Sequence, residues 1–291
     1  MRVLRILAPS AGVHELEGTN TWIVGERPSV VIDPGPDDER HLRDVAREAG
    51  RASAILLTHD HPEHAQGAGP LSAMTGATVF AVRPVAEGER LRDGQQLEAG
   101  GAAIRVLATP GHSPDHVAFY LEDLGALFTG DAVLGRGATV LDPPEGDLVA
   151  HLRSLRRMRE LSPRTIHPGH GPVRLDATAK VDECLEHEAM REEQVIAALE
   201  GGPRTAEETA ALLDGDDHGD EPPEVRALAA RLVLAHLLKL ESEGRAEKRT
   251  EGGVARWSLS PPRACARCGR PVRGRTPLCG ACTLAALQES D

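Results

Sequence analysis

The sequence predicts an α/β domain followed by a small helix-rich domain and a cysteine-bearing tail, and three observations support this. Short β-rich runs broken by turn residues fill roughly the first 170 residues, a long helical pattern with a hairpin signal follows, and two CxxC pairs stand near the end. The runs are "NTWIV", "SVVI", "AILL", "ATVFA", "IRVL", "VAFYL", "ALFT" and "RTI", with helical patterns at "DERHLRDVAREAG" and "DLVAHLRSLRRMREL" between some of them. Strands alternating with helices call for a sheet covered by helices. At 291 residues the chain is long enough for one sizeable core and something smaller. The expected division is 1–175, 176–260 and 261–291.

The second region starts with a helical stretch over Ala177 to Glu200. Then comes "TAEETAALL", in which Thr205 and Glu208 have the spacing of a capping box, and a polar loop from Asp214 to Pro223. Val225, Leu228, Leu232, His236 and Leu240 next recur at helical spacing, and two short strands flank Glu251-Gly252-Gly253. Helix, helix, helix and hairpin is the order of a winged helix. Nucleic-acid contact through its Arg245, Lys248, Arg249 and Arg256, homodimerisation, or gating of the substrate are the roles expected of it.

Charge and composition narrow the function. The formal charge of −12 argues against a surface that coats nucleic acid generally. From Gly244 onward, however, nine basic residues face four acidic ones, a net of +5, which leaves −17 on the first 243 residues. No run approaches the roughly 18 apolar residues of a membrane span, and the start "MRVLRILAPSAG" is too interrupted for a signal peptide, so a cytoplasmic, non-membrane protein is expected. Four of the five cysteines cluster, which suggests metal before disulfides; Cys184 reads as a small buried residue.

Chemistry concentrates at strand exits. "LLTHDHPEH" places His59, His61, Glu63 and His64 directly behind an apolar run, and imidazoles and carboxylates are the groups that hold zinc, manganese or iron. "VLATPGHSPDH" brings His112 and His116, "ALFTGD" brings Asp131, and "TIHPGHGP" brings His170, each behind a strand and a tight turn. Exits on one sheet edge converge, so these groups can meet. His116 is read as a partner of a ligand, as a proton donor to the leaving group, or as a satisfied polar residue beneath the site. Asp33 in "VVIDPG" is read as orienting a ligand or forming a turn, and Asn20 and Thr21 carry little signal. In the tail, Cys265, Cys268, Cys279 and Cys282 form two CxxC pairs separated by ten residues, with Gly269 and Gly280 to allow tight turns. Four thiolates fit one closed, structural zinc.

With these motifs in order, residues 1–175 resemble the metallo-β-lactamase superfamily, and "EGTNTW", "TPGHSPDH" and the trailing winged helix resemble its β-lactamase-like-protein-2 branch. That branch is associated with RNA cleavage, and neighbouring members are thioesterases. The resemblance implies an αββα sandwich and a metal-dependent hydrolase using a hydroxide shared by two divalent metals, with zinc as the default. It implies that His59, His61 and His112 hold one metal, that Glu63, His64 and His170 hold the other, and that Asp131 bridges both. Glu63, Asp131 and His116 are the catalytic candidates. The family has aspartate where this chain has Glu63, one methylene longer, which puts the second metal in question; Asp60 is the alternative carboxylate. The expected substrate is a thioester or other activated acyl compound, or a phosphodiester in single-stranded RNA. The contrasting expectation is a nucleic-acid-binding regulator or adaptor whose metal centre is mainly structural.

Overall fold

The computed structural model describes residues 1–9, 16–83, 88–214, 222–274, 279, 281 and 282. The chain divides into two compact units, Met1–His187 and Glu188–Asp291. The loop expected after Asp214 lies outside the described residues over 215–221, as does Gly280.

In the first unit the elements run β1 (Val3–Leu7), β2 (Asn20–Val24), β3 (Ser29–Ile32), α1 (Glu39–Ala49), β4 (Ala52–Leu56), α2 (Pro62–Ala65), α3 (Ala68–Thr75), β5 (Thr78–Ala81) and β6 (Glu89–Arg90). They continue with β7 (Gln96–Ala99), β8 (Ala102–Ala108), β9 (Val117–Leu121), β10 (Ala126–Gly130), α4 (Leu148–Glu160), β11 (Thr165–Pro168) and the start of α5 (Ala177–Glu200). One sheet has the order β1-β2-β3-β4-β5-β6 and the other β11-β10-β9-β8-β7.

Side-chain alternation explains the layering. In β2 to β4, Trp22, Val24, Val30, Ile32, Ala54 and Leu56 share one buried cluster with Ile104, Val106, Phe119, Leu121 and Phe128 of the other sheet. Their neighbours Ile23, Val31 and Ile55 pack instead with Leu42 and Val45 of α1 and Leu71 of α3. On the second sheet Leu107, Ala118, Tyr120 and Leu127 pack with Leu155 and Met158 of α4 and Val181 of α5. Successive strand residues point to opposite faces, so strands buried on both faces read as continuous apolar runs. Four layers result, helix, sheet, sheet and helix, as expected of an αββα sandwich. The C-terminal ends of β4, β8, β10 and β11 carry the loops with the histidines and Asp131.

The second unit continues α5 and adds α6 (Ala206–Asp214), α7 (Pro223–Ser242), β12 (Ala246–Glu251) and β13 (Val254–Leu259). The capping box forms: the Glu208 backbone N–H donates to Thr205 Oγ1 at 3.1 Å and Thr205 N–H donates to Glu208 Oε2 at 3.0 Å. β12 and β13 pair antiparallel around Gly252 and Gly253, whose φ values of 59° and 83° suit a two-residue hairpin turn. Arg204 adds a bridge to Trp257, and Trp257 itself packs with Val195, Leu199, Val233 and Leu237. This is the winged-helix order of elements. Among the described residues no helix is long and apolar enough to cross a membrane.

Glu192 of α5 ties this unit together by accepting from Lys239 of α7 and from Arg245. Burial pushes its carboxyl up, but the two cations outweigh that and hold it below the ordinary 4.5. A carboxyl lowered by folding stabilises above its unfolded value, and the contribution fades as pH falls through the folded one. Glu192→Gln is therefore expected to lose about 1.5–3 kcal/mol at pH 7. The gap to wild type should close below pH 4.5, read by urea unfolding across pH.

Candidate metal centre

The ligand-type side chains gather in one place. Donor atoms of His59, His61 and His112 lie within 4.8 Å of one another, as do those of His59, Glu63, His64 and Asp131. His112 Nε2 stands 3.0 Å from His61 Nδ1, and His64 Nε2 stands 3.2 Å from His170 Nε2. Asp131 reaches both sides: Oδ1 is 3.4 Å from His64 Nε2, and Oδ2 is 3.3 Å from His170 Nε2 and 3.7 Å from His112 Nε2. Glu63 Oε1 lies 3.9 Å from His61 Nδ1, so the longer side chain does reach the cluster. Asp60 is turned to an ion pair with Arg83 at 3.1 Å.

Hydrogen bonds to the outward ring nitrogens hold the imidazoles in orientation. Thr58 Oγ1 donates to Asp33 Oδ2 at 2.8 Å, so it accepts from His59 Nδ1 at 2.9 Å. The lone pair of His59 is thereby placed on Nε2, which is buried and without a hydrogen-bond partner, as is Asp131 Oδ1. Asp33 Oδ2 also takes His64 Nδ1 at 3.1 Å, which makes Asp33 an orienting group. Backbone carbonyls take two more, Val140 for His112 Nδ1 at 2.8 Å and Gly18 for His170 Nδ1 at 3.1 Å.

Unpartnered buried polar atoms are costly, and an acceptor-only set converging on them fits a cation. Two nitrogens bound at about 2.0–2.1 Å to one tetrahedral ion stand about 3.3 Å apart, close to the nitrogen separations here.

His116 lies under Asp131. It is 1% exposed; its Nε2 accepts the backbone N–H of Asp131 at 3.1 Å, which puts its hydrogen on Nδ1, donated to Thr109 Oγ1 at 2.9 Å. Burial, with His112 nearby, holds it well below the usual imidazole range. Neither nitrogen is left to meet a leaving group, so its place is that of a positioning group for Asp131.

Several contributors had little sequence signal. Asn20 Nδ2 donates to the carbonyls of Pro168 at 3.0 Å and Gly171 at 2.8 Å, clamping the turn that carries His170. Buried Lys180 donates to the Gly137 carbonyl at 3.3 Å, steadying the loop that leads to Val140. Thr21 instead faces His41, 3.0 Å from its Nε2.

Charge couples the site to pH. Burial lowers His64, but Asp131 and Asp33 outweigh it and raise its pKa well above 6.5; His170 is raised similarly, burial being outweighed by Asp131. Asp131, pushed up by burial, is held well below 3.8 by His64 and His170. Without a metal, His64 and His170 therefore hold a proton more readily than a free imidazole does, and a cation binds in competition with it. Cation affinity is expected to rise with pH through neutrality, with proton release on loading, read from the dependence of binding heat on buffer ionisation enthalpy.

The tail holds a second cluster. Donor atoms of Cys265, Cys268, Cys279 and Cys282 lie within 4.8 Å of one another, beside the pairing of β14 (Arg263–Ala264) with β15 (Pro271–Val272). Backbone N–H groups, Cys279 first, lower the Cys265 thiol to about 6, which favours the thiolate a metal needs.

Comparisons with known proteins bear on the family and the fold. Residues 14–88 and 83–170 match the family model described as the Metallo-beta-lactamase superfamily, and 219–257 match the Beta-lactamase associated winged helix domain. An atrochrysone carboxyl ACP thioesterase from Aspergillus chevalieri is 35% identical over 275 residues, spanning 89% of this chain and 87% of the relative. A metallo-beta-lactamase family protein from Thermus thermophilus superposes with a TM-score of 0.71 at 26% identity, covering 89% of this chain and 98% of that one. A protein solved in a di-iron-bound form has a TM-score of 0.50 at 30% identity, covering 60% of this chain and 96% of that one.

Proposed function

Because the chain belongs to the metallo-beta-lactamase superfamily of hydrolases, we propose that it is a binuclear metal-dependent thioesterase, cleaving an acyl thioester of small-molecule or carrier-protein origin. The observation that carries the hydrolytic reading is the convergence of five imidazoles, Glu63 and Asp131 in one cluster that holds the buried, unpartnered His59 Nε2. In this reading His59, His61 and His112 hold one divalent cation, Glu63, His64 and His170 the other, and Asp131 both. Bound there, the cations would acidify the attacking water and polarise the carbonyl under attack. Zinc and iron both suit this nitrogen and oxygen set, and the relative solved with two irons is consistent with that.

The chain's own residues do the rest. Glu63 takes the proton of the attacking water, and Asp33, Thr58 and the carbonyls of Gly18 and Val140 keep the imidazoles aimed inward. His116 holds the Asp131 backbone. With His116 engaged at both nitrogens, the leaving group departs without a proton from it, which suits a thiolate. A thiol ionises near pH 8.5 and leaves readily, whereas the alkoxide of a cleaved phosphodiester is far more basic. The thioesterase name of the Aspergillus relative supports the same choice. In this reading the four tail cysteines hold a structural zinc in a segment, 261–291, that follows the winged helix of 176–260.

The test is a comparison of acyl-thioester and single-stranded RNA substrates on one metal-loaded preparation. Thiol release with intact RNA is expected; RNA cleavage without thiol release would overturn the thioesterase reading in favour of a nuclease, and tight RNA binding without either turnover would favour a regulator.

A further inference from the structure

We propose that Glu145 is a positioning residue for His61, fixing which of its nitrogens faces inward. This rests on the metal reading above. Four ligand imidazoles have their outward nitrogen in a hydrogen bond of 2.8–3.1 Å, to Thr58, Asp33, Val140 and Gly18. The fifth, His61, turns Nδ1 inward toward His112, and its Nε2 faces Glu145 Oε2 at 3.7 Å, the carboxylate in ion-pair range of that nitrogen.

The turn that carries Glu145 is firmly held. Gly146 N–H donates to the Asp142 carbonyl at 2.8 Å, and a Cβ at Gly146 would stand 2.3 Å from Asp142 N, so the turn closes only around glycine. Asp147 N–H donates to the Gly111 carbonyl, next to His112, at 2.8 Å, and the Asp147 side chain caps α4 through Ala150 N–H. The backbone under Glu145 is thus fastened both to α4 and to the loop that carries His112. A carboxylate on the outer nitrogen of an imidazole holds the proton on that side and makes the inner nitrogen the more basic ligand. His61 also has less packing to orient it than its neighbours, with 26% of its side chain accessible against 11% for His112 and 1% for His170.

Loss of such a partner typically costs about 10–100-fold in metal affinity. The experiment is cobalt(II) titration of the full chain against a competing chelator, for wild type, Glu145→Gln and Glu145→Ala. Thiolate charge-transfer absorption reports the cysteine tail, and visible ligand-field bands report the histidine cluster. The expected result is about 10–100-fold weaker cobalt binding at the histidine cluster in Glu145→Ala and a smaller loss in Glu145→Gln, with the tail signal unchanged. Wild type that loads at the histidine cluster together with Glu145→Ala within twofold of it would overturn the assignment and leave the metal reading intact. Wild type that takes no cobalt at the histidines would overturn both.

Discussion

Asp131→Asn is expected to abolish measurable thioester hydrolysis and to cut the divalent metal content of the histidine cluster. Its carboxylate sits within 3.3–3.7 Å of His64, His170 and His112, and its charge is what the surrounding imidazoles balance. Removing one partner from such a buried set costs about 3–5 kcal/mol, on the order of 10²–10⁴ in affinity or rate. The amide keeps the shape and the backbone N–H donated to His116, so the fold should survive. Near-wild-type circular dichroism with lost metal and lost rate is the expected pattern; a variant retaining both metals and more than a tenth of the rate would remove Asp131 from the account.

Gly169→Ala is expected to do comparable damage without touching a ligand. A Cβ there would stand 2.4 Å from Asp131 Oδ1 and 2.7 Å from His64 Cε1, closer than nonbonded carbon atoms come. Gly169 is not among the glycines with positive φ, so its backbone accepts alanine, and the Cβ would press on the two ligands and stand 3.1 Å from the Gly130 carbonyl carbon. Metal loading and hydrolysis should fall by about 100-fold, the effect of ~1 Å of misplacement, and the metal-free protein should lose about 1–3 kcal/mol of stability to overpacking. Unchanged loading would mean that Asp131 and His64 do not need the positions they hold here.

Much of this is legible in the sequence, for physical reasons that differ by element. Strands β2, β3, β4, β9 and β10 are buried on both faces and so stand out as apolar runs such as "VAFYL". β1 and β7 lie at sheet edges with exposed alternate residues, and β6 has only two residues, both exposed, so none gives a comparable run. α3, "AGPLSAMT", has no apolar stripe to mark it. The ligands are visible because three histidines and two carboxylates fall in the six positions 59–64, directly behind an apolar strand. Two of the groups that aim them, the Gly18 and Val140 carbonyls, belong to the backbone and leave no side-chain trace. Asn20 reads as an ordinary polar residue because its partners, Pro168 and Gly171, lie about 150 positions away. Gly169 reads only as half of a Pro-Gly turn, although its missing Cβ is what lets Asp131 and His64 approach.

The most direct test of the central claim is metal content per chain by plasma mass spectrometry, on wild type and on the Cys265→Ser/Cys268→Ser double variant. Two cations at the histidine cluster and one in the tail predict three per chain in wild type and two in the variant. One or fewer in wild type, unchanged by the substitutions, would contradict both the binuclear centre and the cysteine site.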